Sequence, residues 1–178
     1  MSEYSKFQIQ KMIEESDNST IAKEKGDKLE LLVKYLFANT ENLSFIGRDI
    51  LDAPRAHEID IAFWNPNRNG GLSFLDPVIV IECKNHSSPI GSIDIGWFVR
   101  KLQDRGARNG IFISLSGITG KFDGQTCVHS EILNAMMRDG IKILVMKRED
   151  LLGLNNSDDL VNLLMEKFLK LTLYRSIE

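Results

Sequence analysis

Apolar residues recur along the chain at two spacings, which divide it into helices and strands. A spacing of three to four residues predicts helices over 3–15, 21–38, 93–105, 124–138, 149–154 and 158–173. Short β-branched or alternating runs predict strands over 43–51, 57–64, 78–81, 110–115 and 141–146. This order predicts an α/β fold in which helices flank both faces of a mixed β-sheet.

Charged residues interrupt the apolar pattern in two strand segments, HEIDIAFW and VIVIECKN. Alternate side chains of a strand share a face. Asp60 therefore shares a face with Glu58. In the next strand Glu82 shares a face with Lys84, while Cys83 points to the opposite, core side. Charges are rarely carried into apolar strands without a partner or a metal, so neighbouring strands would bring two acids and a lysine together.

These residue types fit metal-assisted hydrolysis of a phosphodiester. Carboxylate oxygens suit Mg²⁺ or Mn²⁺, and such an ion polarises a phosphoryl oxygen and helps to ionise a bound water. A neighbouring lysine such as Lys84 stabilises the forming hydroxide and the added charge on phosphorus. The alternative is that Glu82 and Lys84 form a surface ion pair at a strand end, which would contribute almost nothing to stability.

Glu30 is a fourth candidate, on the helix predicted over 21–38. It lies at the border of the apolar face of that helix, whereas a solvent-facing glutamate more often lies on the opposite side. Gly26, one turn earlier, lacks a side chain. We therefore expect the helix to approach the sheet closely at Gly26.

Three short motifs carry these residues: GxxxE from Gly26 to Glu30, EID from Glu58 to Asp60, and ECK from Glu82 to Lys84. A later segment, GARNGIFISLSGIT, covers residues 106–119. Together they resemble the restriction-endonuclease-like, PD-(D/E)xK superfamily, and most closely its Mrr-like endonuclease domains. The resemblance covers about residues 26–150, and Ile59 stands where the superfamily motif has proline.

The resemblance implies a restriction-endonuclease-like fold and an endonuclease that hydrolyses DNA with Mg²⁺ or Mn²⁺. It implies that Asp60 and Glu82 are metal ligands and that Glu30 is an accessory acid of the metal site. It implies that Lys84 activates the attacking water. A role in bacterial defence or repair follows from the same resemblance. Such domains depend on another module to recognise the target, so a second copy of the chain or a separate specificity subunit is the expected partner.

The helix predicted over 93–105 has a basic side. Its core stripe is predicted at Ile95, Phe98, Val99 and Leu102. Projected as one helix, residues 93–108 place four others on the opposite side: Trp97, Lys101, Arg105 and Arg108. A tryptophan among cations suits contact with a nucleic-acid backbone, so these four are predicted to form an exposed nucleic-acid-binding surface. The alternative is a solvated helix face.

Two further residues are candidates for accessory roles at the site. His86 lies two residues past Lys84 and is placed to assist a proton or a phosphate. Gln103 is a polar residue of the basic helix that is within reach of the site on this projection. The alternative for both is an ordinary surface residue.

Composition limits the remaining possibilities. The 178 residues suit a single domain over 1–178. The formal net charge of −3 argues against a surface coated with phosphate-binding groups, so contact with DNA must use a local basic patch. The two cysteines, Cys83 and Cys127, form no disulfide framework or paired metal-ligand spacing. No apolar run reaches the roughly 20 residues of a membrane span, and no leader pattern is present, so a cytoplasmic protein is expected.

Two alternative functions stay open at this stage. One is a non-catalytic nucleic-acid-binding protein that retains the nuclease fold, which the acidic net charge favours and the complete set of Asp60, Glu82 and Lys84 disfavours. The other is a nuclease that acts on RNA or on a nucleotide-derived signal.

Overall fold

The computed structural model describes residues 2–53, 57–66, 69–119 and 128–177. Its strands are β1 (Ser44–Leu51), β2 (Glu58–Trp64), β3 (Val78–Lys84), β4 (Asn109–Ser114) and β5 (Lys142–Lys147). Its helices are α1 (Lys6–Asp17), α2 (Ala22–Ala38), α3 (Ser92–Gln103), α4 (Val128–Asp139), α5 (Arg148–Gly153) and α6 (Ser157–Leu169), and a π-helical turn (Lys170–Tyr174) follows α6. The predicted α/β class is confirmed. The predicted start of α4 at 124 and Cys127 lie outside the described residues.

One five-stranded sheet runs in the order β1-β2-β3-β4-β5. β1 pairs with β2, and β2 with β3, in antiparallel ladders, whereas β3 pairs with β4, and β4 with β5, in parallel ladders. The ladder between β2 and β3 ends at the pair of Ile61 and Ile81. Asp60 and Glu82 therefore lie immediately beyond the last pair, where the two strands begin to part.

Helices cover both faces of the sheet, as the sequence predicts. On one face the ring of Phe37, from α2, packs 5.7 Å from the ring of Phe63, in β2. On the other face Phe98, from α3, packs 5.5 Å from Phe112, in β4. A Cβ atom built at Gly110 would lie 2.7 Å from Phe98, so only glycine lets α3 come this close to the sheet.

The prediction of a close helix–sheet approach at Gly26 is wrong. A Cβ atom built at this position would meet no described atom within 4 Å, so open space and not the sheet lies beside it. The close approach occurs at Gly110 instead, on the opposite face. No described helix is both long enough and apolar enough to cross a lipid bilayer.

The basic helix ends two residues earlier than predicted. Helix α3 stops at Gln103, and the N–H of Gly106 donates a hydrogen bond to the carbonyl oxygen of Gln103 at 3.0 Å. Gly106 has a φ of +64°, a left-handed conformation that terminates helices. Arg105 and Arg108 therefore lie beyond the helix and cannot continue its basic side.

Candidate active site

Asp60 is fixed at the point where β2 and β3 part. The backbone N–H of Cys83 donates a hydrogen bond to Asp60 Oδ2 at 2.8 Å. The side chain thus accepts a bond from the neighbouring strand just past the last backbone pair. This contact holds one carboxylate oxygen against β3 and leaves Oδ1 for other partners.

Glu82 lies between two lysines. Its Oε1 is 2.8 Å from Nζ of Lys84, on the same strand, and its Oε2 accepts a hydrogen bond from Nζ of Lys101 at 2.6 Å. Lys101 comes from α3, and its Nζ also lies 4.0 Å from Asp60 Oδ1. The structure therefore brings together Asp60, Glu82 and Lys84, as the alternation along the strands predicts, and adds Lys101.

The surroundings shift the ionisation of these groups. Burial, and next the charge of Glu82, raise the pKa of Asp60 to about 6, although the Cys83 N–H lowers it in part. Burial alone would lower the pKa of the Lys84 ammonium, but the neighbouring Glu82 and Asp60 carboxylates outweigh it and raise that pKa. Lys84 is therefore held in its charged form, and Asp60 loses its proton at a higher pH than an ordinary aspartate does.

Cys83 lies between the two charged residues of ECK, and it contacts the cluster through its backbone N–H. Its side chain is buried in the core, on the opposite side of the strand from Glu82. Burial raises the pKa of the Cys83 thiol well above its ordinary value, so the reactive thiolate is suppressed. This is the reduced, buried thiol that the sequence predicts.

Glu30 is paired with an arginine that sequence reasoning did not identify. Arg48, on β1, donates from Nε to Glu30 Oε2 at 2.7 Å and from Nη2 to Asp27 at 3.2 Å. Burial raises the pKa of Glu30 to about 7, and the contact with Arg48 offsets only part of this rise. Carboxylate oxygens of Asp27, Glu30 and Asp49 lie within 4.8 Å of one another. No local spacing indicates this group, because Asp49 reaches α2 only through the register of β1.

A cleft of about 390 Å³ joins these two groups. Its lining includes the predicted residues Glu30, Asp60 and Lys84, and the open side of Gly26. The cleft therefore exposes the carboxylates of Glu30 and Asp60 to solvent.

Comparison with known families identifies the family of the chain. Residues 21–123 match the model of a family described as restriction endonuclease, of the Mrr catalytic type. The chain belongs to this family. The matched segment includes Glu30, Asp60, Glu82, Lys84 and Lys101. A comparison with curated proteins found no match. The predicted Mrr-like identity is thus confirmed, and the protein is a nuclease of the restriction-endonuclease type.

The predicted exposed basic surface of this Mrr-type domain is wrong for two of its four residues. The Lys101 side chain is only 15% exposed, because it turns into the cluster around Glu82. Arg105 is also largely covered, and its Nη2 donates to the backbone oxygen of His57 at 2.9 Å. Trp97 is 60% exposed, and Arg108 is exposed beyond the helix. Nucleic-acid binding by these residues stays a prediction.

The two accessory candidates occupy different places in the Mrr-type domain. His86 is exposed and lines the cleft beside Lys84. Gln103 is exposed near the end of α3, and two residues along a helix turn it by about 200° from Lys101. His86 is therefore near the carboxylates, whereas Gln103 faces away from them. Their roles stay predictions.

Proposed function

We propose that this protein is an endonuclease that hydrolyses phosphodiester bonds of DNA with a divalent metal, Mg²⁺ or Mn²⁺. The observation that carries the proposal is the meeting of Asp60, Glu82 and Lys84 where β2 and β3 part. Membership of the restriction-endonuclease family supports DNA as the substrate. A place in bacterial defence or repair, in the cytoplasm, belongs to the same proposal.

The residues fit a divalent cation. The donors are carboxylate oxygens, which Mg²⁺ and Mn²⁺ prefer. The position of the Lys101 ammonium, 2.6 Å from Glu82 Oε2 and 4.0 Å from Asp60 Oδ1, supports a cation near both acids. We propose Asp60 and Glu82 as the metal ligands. When bound, the metal would supply Lewis-acid stabilisation of the phosphoryl oxygens and a lowered pKa for water.

Lys84 has the role of the activating lysine in this proposal. Glu82 Oε1 fixes its ammonium at 2.8 Å, and the raised pKa keeps it charged. From this position the ammonium can donate hydrogen bonds to the attacking water as that water loses its proton, and to the charge that grows on phosphorus. Both interactions strengthen in the transition state, so they raise the cleavage rate more than substrate affinity.

Glu30 belongs to the proposed site as an accessory acid and not as a principal ligand. Arg48 already binds its Oε2, and the two side chains tie α2 to β1. Its carboxylate nevertheless lines the cleft. The negative charge of Asp60 repels that of Glu30 and so contributes to the raised pKa of Glu30. We propose that Glu30 sets the charge of the cleft beside the metal.

Trp97 and Arg108 are the proposed points of contact with the nucleic-acid backbone outside the cleft. Both are exposed, which a surface that binds nucleic acid requires. We propose that a second copy of the chain or a separate specificity subunit completes target recognition, since one site cuts one strand at a time.

Single-turnover cleavage, measured beside DNA binding, tests the proposal. Lys84→Ala should reduce the cleavage rate at least about 100-fold and leave DNA affinity nearly unchanged. The matched control is Lys142→Ala, because Lys142 opens β5 and lies at the opposite edge of the parallel strands. Cleavage by Lys84→Ala at the wild-type rate would remove the proposed catalytic lysine. Assays on duplex DNA, single-stranded DNA and RNA, each with and without Mn²⁺, separate the DNA nuclease from an RNA nuclease and from a non-catalytic binder.

A further inference from the structure

The side chain of Lys101 is largely buried against a carboxylate, a position that DNA binding alone does not explain. It comes from α3, whose position is fixed by the buried Phe98 and Leu102. Its ammonium contacts Glu82 at 2.6 Å and faces Asp60 at 4.0 Å. This is the position between the two carboxylates that a bound cation would occupy.

We propose that Lys101 is a positioning residue that acts as an exchangeable internal cation: it holds Asp60 and Glu82 together until a divalent metal displaces it. This inference rests on the proposed function, because it assigns the metal to these two acids. Once displaced, the ammonium lies on the same side of α3 as the exposed Trp97, one turn away, where a DNA phosphate can receive it.

The charges of the cluster favour exchange. Asp60 and Glu82 supply two negative charges, and Lys84 and Lys101 supply two positive charges, so the four together are neutral when ionised. A divalent cation gains more from two unneutralised carboxylates than from a neutral cluster. Lys101 must therefore lower metal affinity for as long as it stays between the acids.

The two lysines differ in how readily they can leave. Lys84 lies two residues from Glu82 on the same strand and contacts Oε1, which is not the oxygen that Lys101 contacts, so a metal that replaced Lys101 would leave this contact in place. Lys101 contacts Glu82 Oε2, and its Nζ is also 4.0 Å from Asp60 Oδ1. Its four-carbon stem can swing away while α3 stays in place. We therefore expect Lys84 to keep its contact with Glu82 when a metal binds, and Lys101 to give up its contact to the metal.

Calorimetric titration with Mn²⁺ alone, without DNA, tests this inference. Lys101→Met keeps the length of the stem and removes the charge, so the affinity for Mn²⁺ should rise on the order of tenfold. The melting temperature of the metal-free variant should fall, and its gain on adding Mn²⁺ should exceed that of the wild type. The matched control is Arg100→Met, on the same helix turn, where an exposed arginine pairs with Asp104. It should leave Mn²⁺ affinity unchanged.

Lys101→Arg provides the opposite test and does not depend on the stability of the Met variant. Its guanidinium can bind both carboxylates at once, so the affinity for Mn²⁺ should fall below that of the wild type. Unchanged Mn²⁺ affinity in both variants, with a wild type that binds Mn²⁺, would overturn the inference and make Lys101 a structural ion pair. A wild type that binds no Mn²⁺ would overturn the proposed metal site itself.

Discussion

Two acidic clusters each contribute residues to the lining of one cleft, and the clusters differ in the cation that neutralises them. The lysine-paired cluster consists of Asp60, Glu82, Lys84 and Lys101. The arginine-paired cluster consists of Asp27, Glu30, Asp49 and Arg48. The first stands where two strands part, and the second joins α2 to the edge strand β1.

The difference indicates which cluster can exchange its cation. Arg48 holds two carboxylates through separate N–H groups, at 2.7 and 3.2 Å, in a planar fork that is always charged. Lysine ammoniums are single point charges on flexible stems, and they hold the acids less rigidly. We therefore infer that the arginine-paired cluster is a structural tie, while the lysine-paired cluster is the place for a metal.

The largest expected effect is on the cleavage rate, which should respond to a change in the lysine-paired cluster much more than to the same change in the arginine-paired cluster. Asp60→Asn keeps the volume of the side chain and an oxygen for the Cys83 N–H, but removes a proposed ligand charge. Cleavage should fall by about 100- to 1,000-fold. Asp49→Asn, the matched change in the arginine-paired cluster, should alter the rate only slightly. Single-turnover cleavage rates of the two variants, measured with Mn²⁺, check this prediction. Equal losses of rate in the two variants would contradict it, because both clusters would then contribute to catalysis.

The next largest effect is on the free energy of unfolding, and we expect it when the arginine-paired cluster is changed. Arg48→Met leaves the buried Glu30 carboxylate without its partner. The free energy of unfolding should fall by about 2 kcal/mol, less than for a fully buried pair because Arg48 is 21% exposed. The double variant Arg48→Met with Glu30→Gln should recover part of this loss. Urea denaturation of the four proteins in the cycle measures it. Additive effects would show that the two residues are not coupled.

The pKa of Asp60 gives a pH dependence with a definite sign. Because its folded pKa is raised to about 6 from an ordinary 3.8, its contribution to stability is full below 3.8 and is lost as the pH rises through 6. Asp60→Asn does not titrate. Without metal, its stability relative to the wild type should therefore be greater at about pH 8 than at about pH 4. Thermal unfolding at both pH values decides this, and a constant difference would refute the raised pKa.

The smallest effect concerns the cleft. Gly26 and Gly96 are both the fifth residue of a helix, and a Cβ atom at either position meets no close contact. Both Gly→Ala changes should stabilise the fold by roughly 0.5–1 kcal/mol. Only Gly26→Leu should weaken DNA binding, because its side chain enters the cleft and that of Gly96→Leu does not. Equal DNA affinity in the two leucine variants would show that substrate does not approach α2.

The sequence was sufficient to predict which side chains of a strand share a face, because this depends only on local periodicity. Alternation placed Glu82 and Lys84 on one face of β3 and predicted that Asp60 would join them if β2 and β3 were neighbours, and the structure brings the three together. It was insufficient for what depends on packing between distant elements. A helical projection placed Lys101 away from the core stripe of α3, but it did not show that Glu82 lies beneath that side. The pairing of Glu30 with Arg48 was equally hidden, since the register of β1 shifts at an irregularity between Phe45 and Gly47.

The position of the metal tests the account most directly. Crystals of the wild-type protein soaked in Mn²⁺ and measured at the manganese absorption edge would locate the ion without reference to activity. The account predicts an anomalous peak bonded to Asp60 and Glu82, with the Lys101 ammonium moved off Glu82. A peak among Asp27, Glu30 and Asp49, with Lys101 still on Glu82, would contradict it.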